Sequence, residues 1–172
     1  MEVSILLGSI RIERQSHRLA YYLRDQVTER GATVNMIDPK DYPLPLFGSA
    51  VSEEGMRNLE EIKGMLKSSK VIIIVTPEYL SNISAALKNV LEYCAFDLVG
   101  KVIGIAAASA TKFGGLHASN NLLIMMHNLG AHVAPRKLLV PEIHFAFDKD
   151  NRPAQHEIRE QVEKFLEGVL RT

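Results

Sequence analysis

The stretch KVIIIVTP, residues 70–77, decides the architecture. Val71 through Val75 are all β-branched and all apolar. A strand with one wet face alternates apolar and polar side chains, whereas this run offers an apolar side chain to both faces. Such a strand belongs in the middle of a parallel sheet, with helices packed on each side. Pro77 ends it, because proline cannot donate to a sheet ladder.

Working outward, similar short apolar runs predict strands at 2–7, 34–37, 71–76, 102–108 and about 132–140. Helical periodicity predicts helices over 16–30, 56–69, 85–95, 116–129 and 155–170. Gly31 and Gly130 fall where C-terminal helix caps are expected. Strand and helix alternate through five β-α units. The expectation is an α/β fold, a flavodoxin-like doubly wound five-stranded parallel sheet of order 2-1-3-4-5 with helices on both faces, forming one domain over residues 1–172. Two long connections, 39–50 and 141–154, break the rhythm, and long loops in compact domains are often functional.

Composition narrows the partners. Twenty basic residues balance twenty acidic ones among 172, so no global field favours nucleic acid or an anionic membrane. The longest apolar runs, 71–75 and 102–110, are too short to span a bilayer. The N-terminus reads as a strand and lacks the basic start and cleavage site of a signal peptide. With Cys94 as the single cysteine, a reducing cytoplasm is the expected location. None of the six histidines falls into a ligand pair at i, i+4 or a cysteine–histidine cluster, so no metal is expected.

In a doubly wound sheet, ligands bind outside the C-terminal ends of the strands, at the switch point between the first strand and its neighbours. The loop after the first strand reads GSIRIERQS, residues 8–16. Arg11 and Arg14 face a helix N-terminus, where the macrodipole is positive and cations are unfavourable. A bound phosphate reverses that sign. Ser9 and Ser16 add hydroxyls, and the turn adds backbone N–H groups. The loop is neither a dinucleotide fingerprint nor a P-loop. His17 adjoins it, in a place that suits either a cofactor contact or a solvent-facing histidine at a helix start. After the third strand, TPEYLSNISAALKN (76–89) offers exposed backbone and the aromatic face of Tyr79, with Ser81 or Asn82 able to cap the next helix. After the fourth, ASATKFGGLHA (108–118) carries small residues and paired glycines that permit close backbone approach.

Together these motifs resemble the NAD(P)H-dependent FMN reductases, also called quinone or azo-dye reductases. Gly8, Ser9 and Arg11 match the family's G-S-x-R phosphate loop, with Arg14 as the second arginine that some members carry and Ser16 at a further phosphate-contacting position. Pro77, Glu78 and Tyr79 match P-E-Y-N; Leu87, Lys88 and Asn89 match L-K-N-A. The resemblance implies FMN as cofactor and NADPH or NADH as electron donor. It implies binding through Ser9, Arg11, Arg14 and Ser16, through Pro77, Glu78, Tyr79, Leu80 and Ser81, and through Ser109, Thr111, Lys112, Phe113 and Gly114. Leu80 stands for the usual asparagine, Ser84 for the usual proline, and Thr111 where glycine is common. The implied mechanism is ping-pong: hydride passes from nicotinamide to flavin, then from flavin to a small acceptor such as a quinone, an azo compound or free flavin. No side chain is assigned as catalytic acid or base.

The run Leu122 to Met126 is apolar on more than one helix face, which predicts a subunit interface, as in a homodimer or homotetramer. The competing reading has Phe145 and Phe147 of the 141–154 segment covering that helix. Three other function classes compete, and the neutral charge balance with the arginine-bearing loop argues against the first, while the lack of an acidic cluster beyond Glu78 argues against the second. An electron-transfer flavodoxin shares the architecture but presents a strongly acidic surface. A phospho-acceptor receiver domain needs an acidic cluster ending strand one and an aspartate ending strand three. A non-catalytic flavin-binding protein differs from a reductase only in turnover.

Overall fold

In the computed structural model, which describes residues 1–171, the run at the centre of the sequence is strand β3 (Val71–Pro77), buried at every position. β1 (Glu2–Leu7) pairs parallel on one side of it and β4 (Val102–Ala108) on the other. β2 (Thr33–Ile37) extends the sheet beyond β1. The far edge is shared by β5 (His132–Val133), against Val102 and Ile103, and β6 (Leu138–Val140), against Ala106 to Ala108. The order is 2-1-3-4-5, as the sequence predicts. The strand expected over 132–140 is broken, however. Pro135 lies inside it without an N–H, so pairing stops at Val133 and resumes at Leu138.

Alternation along the buried strands fills two separate cores. Val3, Ile5, Leu7, Val71, Ile73 and Val75 point to the face covered by α1 (Ser16–Glu29) and α6 (His156–Leu170). Leu6, Ile72, Ile74, Ile103 and Ile105 point to the face covered by α2 (Glu53–Ser68), α3 (Ala85–Tyr93) and α4 (Leu116–Asn128). Each fully buried Ile or Val contributes about 1.5–3 kcal/mol, which is why the chain tolerates so little polarity in β3.

Helix ends follow local chemistry. α2 starts three residues earlier than predicted, because the Ser52 hydroxyl accepts the Gly55 N–H at 3.1 Å. Gly31 and Gly130 follow α1 and α4 with positive φ, as expected of C-terminal caps. The 141–154 segment holds a single-turn helix, α5 (Ile143–Ala146), then a tight turn in which Asp148 accepts the N–H groups of Asp150 and Arg152, each at 2.9 Å. Phe147 is buried on the α1 side, with its ring 6.0 Å from Tyr22, and Phe145 is exposed. That segment therefore does not cover α4.

Candidate cofactor cleft

The C-terminal ends of β1, β3 and β4 open into one cleft of about 600 Å³. Its walls are the loop after β1 (11–17), the loop after β3 (77–79), the end of β4 and its loop (108–110), and Ile143 and His144 of α5.

On the first wall, α1 begins without a side-chain cap: Gln15 occupies the cap position and makes no capping bond, and the first turn has no acidic residue. The positive end of its dipole is thus uncompensated where Gln15, Ser16 and His17 line the cleft. Arg11 is exposed and lies over the Tyr79 ring, 5.6 Å from its centroid; among the described residues its guanidinium makes no ion pair. Arg14 is engaged differently. Both of its terminal nitrogens donate to the Asp38 carboxylate, and one also donates to the Ser9 carbonyl at 2.6 Å. The Arg14 and Asp38 side chains retain only 10% and 8% of their exposure. Hydrogen bonding to Asp38 raises the already high Arg14 pKa, so the pair is permanently charged on that side. The Ser9 hydroxyl shares a 2.9 Å hydrogen bond with the Tyr79 hydroxyl. Ser16 and His17 line the cleft, and the His17 Nδ1 is buried with no hydrogen-bond partner.

The second wall is anchored to α4 and braced by a tight turn. The Glu78 Oε2 accepts the Ala118 N–H at 3.0 Å, capping α4. Tyr79 and Asn82 exchange backbone hydrogen bonds of 2.9 and 3.0 Å across a two-residue turn. Leu80 and Ser81 sit in it at φ +49° and +58°, the signature of a type I′ turn. The Leu80 side chain is fully exposed. The helix cap expected at Ser81 or Asn82 is instead Ser84, whose hydroxyl accepts the Leu87 N–H at 3.0 Å and donates to the Gly8 carbonyl. The serine found in place of the family's usual proline thus ties the β1 loop to α3.

On the third wall, the Ser109 hydroxyl accepts the Thr111 N–H at 3.2 Å, and the Thr111 carbonyl accepts the Glu142 N–H at 3.2 Å, locking this loop to the start of α5. Gly115 has φ +84°, and a Cβ there would stand 2.8 Å from the Ala107 Cβ. No other residue fits that position.

Of the residues singled out from sequence, Arg11, Arg14, Ser16, Pro77, Glu78, Tyr79 and Ser109 line the cleft. Ser9 stands behind Tyr79, hydroxyl to hydroxyl. Leu80, Ser81, Thr111, Lys112, Phe113 and Gly114 belong to the same loops but lie outside the lining. Ile143 and His144 carried no motif; only the length of the 141–154 connection pointed to them. Among the described residues no group of three or more His, Cys, Asp or Glu side chains is arranged to hold a metal ion.

The profile of the family described as NADPH-dependent FMN reductase matches residues 1–145. An NADPH azoreductase of Bacillus sp. (strain OY1-2) is 22% identical over 170 residues, covering 96% of this chain and 93% of that protein. An FMN-dependent NADPH-azoreductase of Staphylococcus aureus is 24% identical over 158 residues, covering 87% and 82%. Among solved structures, the flavoenzyme NAD(P)H:(acceptor) oxidoreductase FerB of Paracoccus denitrificans superposes with a TM-score of 0.79 at 17% identity, covering 99% of this chain and 97% of that one. A flavodoxin of Streptococcus pneumoniae superposes at 0.69 with 15% identity and 99% coverage of both chains. These superpositions establish the shared fold.

Proposed function

The chain belongs to the NADPH-dependent FMN reductase family, and from that premise we propose that it seats FMN in the cleft between the loops after β1, β3 and β4 and reduces a small acceptor at the expense of NADPH or NADH. FMN, when bound, supplies the hydride-carrying chemistry. The residues present fit that group. The observation that carries the reading is the anion-ready start of α1: an uncapped helix N-terminus, no acid in its first turn, Ser16 and Arg11 beside it, and a buried ring nitrogen of His17 left without a partner.

Within this reading Arg11 is the cation that meets the phosphate, because its guanidinium stacks on Tyr79 and makes no ion pair among the described residues. Arg14 is a strut that fixes the Ser9 carbonyl and joins the loop to the end of β2 through Asp38. Pro77, Tyr79 and Ser109 line the remaining walls, where backbone groups and small side chains can approach a flat ring edge-on. Glu78, also in the lining, holds the start of α4 in place. No side-chain acid or base is assigned.

Ile10, Ile12, Leu80, Phe113 and Phe145 are exposed on the loops and short helix that frame the cleft. That apolar rim favours flat aromatic acceptors, quinones, azo compounds or free flavin, over metal oxyanions. We also propose a homo-oligomer, a dimer or tetramer. An apolar groove of about 240 Å³ runs between α3 and α4, lined by Leu91, Ala95, Met125, Met126 and Leu129, with Ile124 exposed on the same helix. Cytoplasmic residence is supported by the single buried Cys94. Among the described residues no helix is long and apolar enough to cross a membrane.

The test is direct. Purified protein is incubated with FMN, freed of excess, and its visible spectrum recorded beside that of Arg11→Ala, followed by NADPH oxidation with a quinone acceptor. Retained flavin in the wild type, loss on Arg11→Ala, and turnover with quinone are expected. Failure to retain FMN would overturn the cofactor assignment, and retention without turnover would make the protein a flavin carrier.

A further inference from the structure

We propose that His17 is the proton-linked partner of the flavin phosphate, its imidazole taking up a proton as the dianion arrives. This rests on the reading that FMN places its phosphate at the start of α1. His17 is the second residue of that helix and lines the cleft. Its Nδ1 is buried without a hydrogen bond. A buried polar nitrogen left unpaired is costly, and native structures retain such groups where a partner arrives from outside the chain.

The charges around the ring leave it neutral until that partner comes. Burial lowers its pKa below 6.5, and Arg14 and Arg18 push the same way. The positive end of the α1 dipole adds to them. The Arg14 backbone and Asp38 oppose this. Tyr21, one turn along α1, meets the ring edge-on at 5.5 Å. Across the cleft stand Tyr79, Glu78 and His144. Of the carboxylates, Asp38 is committed to Arg14 and Glu78 to the α4 N-terminus, while Glu13 is exposed to solvent. No buried carboxylate is therefore available to hold an imidazolium in the free protein.

A phosphate monoester brings close to two negative charges and three acceptor oxygens, and inverts this field. The ring then gains what it lacks, an acceptor for its proton and a counter-charge. A lysine or arginine in the same place would leave a further cation beside Arg14, Arg18 and the helix dipole whenever the cleft is free of anion. Histidine avoids that, because it carries charge only when an anion is there to share it.

The experiment follows the His17 Cε1–H resonance across pH in the free protein, with riboflavin and with FMN, the signal being assigned by its absence in His17→Gln. FMN affinity is measured in parallel from pH 6 to pH 8 for both proteins. The His17 pKa should lie below 6.5 in the free protein and stay there with riboflavin, which lacks the phosphate. With FMN it should rise by about one unit or more, the scale of an opposite charge in direct contact. Correspondingly, FMN affinity should fall about tenfold more over that pH range in the wild type than in His17→Gln. If FMN binds and the His17 pKa does not move, the role given to His17 is overturned while the FMN reading stands. If FMN fails to bind at every pH, both are overturned. His17→Asn repeats the affinity arm if His17→Gln does not fold.

Discussion

Arg14→Ala removes the guanidinium on which Asp38 depends. In the native fold both carboxylate oxygens face Arg14, and the remaining partner that the protein supplies is the Lys40 N–H, 3.0 Å from Oδ1. Breaking a buried ion pair from one side costs about 3–5 kcal/mol, since the surviving charge is left desolvated. The retained Lys40 contact puts this case at the lower end, about 3 kcal/mol. For a chain of this size each kcal/mol moves the melting temperature by about 2–4 °C, so a fall of roughly 6–12 °C is expected. Thermal unfolding of cofactor-free protein reads it directly, and Arg14→Met with Asp38→Leu should recover most of the loss by removing the stranded charge. Arg11→Ala should leave the melting temperature nearly unchanged while weakening FMN binding about 10–100-fold, the range of a charge-assisted hydrogen bond of about 1.5–3 kcal/mol. The opposite pattern, an unchanged melting temperature with FMN binding abolished in Arg14→Ala, would refute the assignment of Arg14 as strut.

Leu80→Asn should stabilise the protein by about 0.5–1 kcal/mol, raising the melting temperature by a few degrees, because asparagine accepts the left-handed backbone that Leu80 occupies at φ +49° and loses no packing there. Gly115→Ala should instead prevent soluble expression or destabilise severely, as its Cβ collides with Ala107 on β4; a proton NMR spectrum with native dispersion would contradict this. Cys94, buried in the core between α3 and the following turn at Ala95–Leu98, has its thiol pushed up to about 12 by burial and by Asp97. It should resist alkylation at pH 8 in the folded protein and react fully in denaturant. Since the unfolded thiol ionises first, stability should also decline as pH rises above its ordinary value near 8.5.

The sheet was legible because its physics is local. Five successive β-branched residues with no polar face belong inside a sheet, and the alternating units on either side point to a parallel, doubly wound one, with the order 2-1-3-4-5 as one of its two common forms. What the sequence did not disclose is partly local competition between signals and partly contacts far along the chain. The break in the last strand follows from Pro135, visible in the sequence but outweighed there by the apolar residues around it. The choice of Ser84 over Ser81 as the α3 cap turns on the tight turn at 79–82, which uses Ser81 at positive φ and so removes it from the helix. Gly8 and Ser84 are 76 residues apart, and nothing in either segment announces their bond.

The two arginines show where sequence reasoning about a site reaches its limit. Both occupy a loop that faces a helix N-terminus, and from spacing alone both are phosphate ligands. An arginine near a helix start is disfavoured unless something negative neutralises it, but that argument does not say whether the neutralising group is a ligand or another residue. Asp38, at the end of β2, pairs with Arg14, while Arg11 stacks on Tyr79. The position of Asp38 is set by the parallel register that brings Leu6 beside Ile37, a property of the whole sheet. Spacing in a loop therefore shows that two cations stand near a helix N-terminus, while the ion pairing that distinguishes them comes from a strand more than twenty residues away.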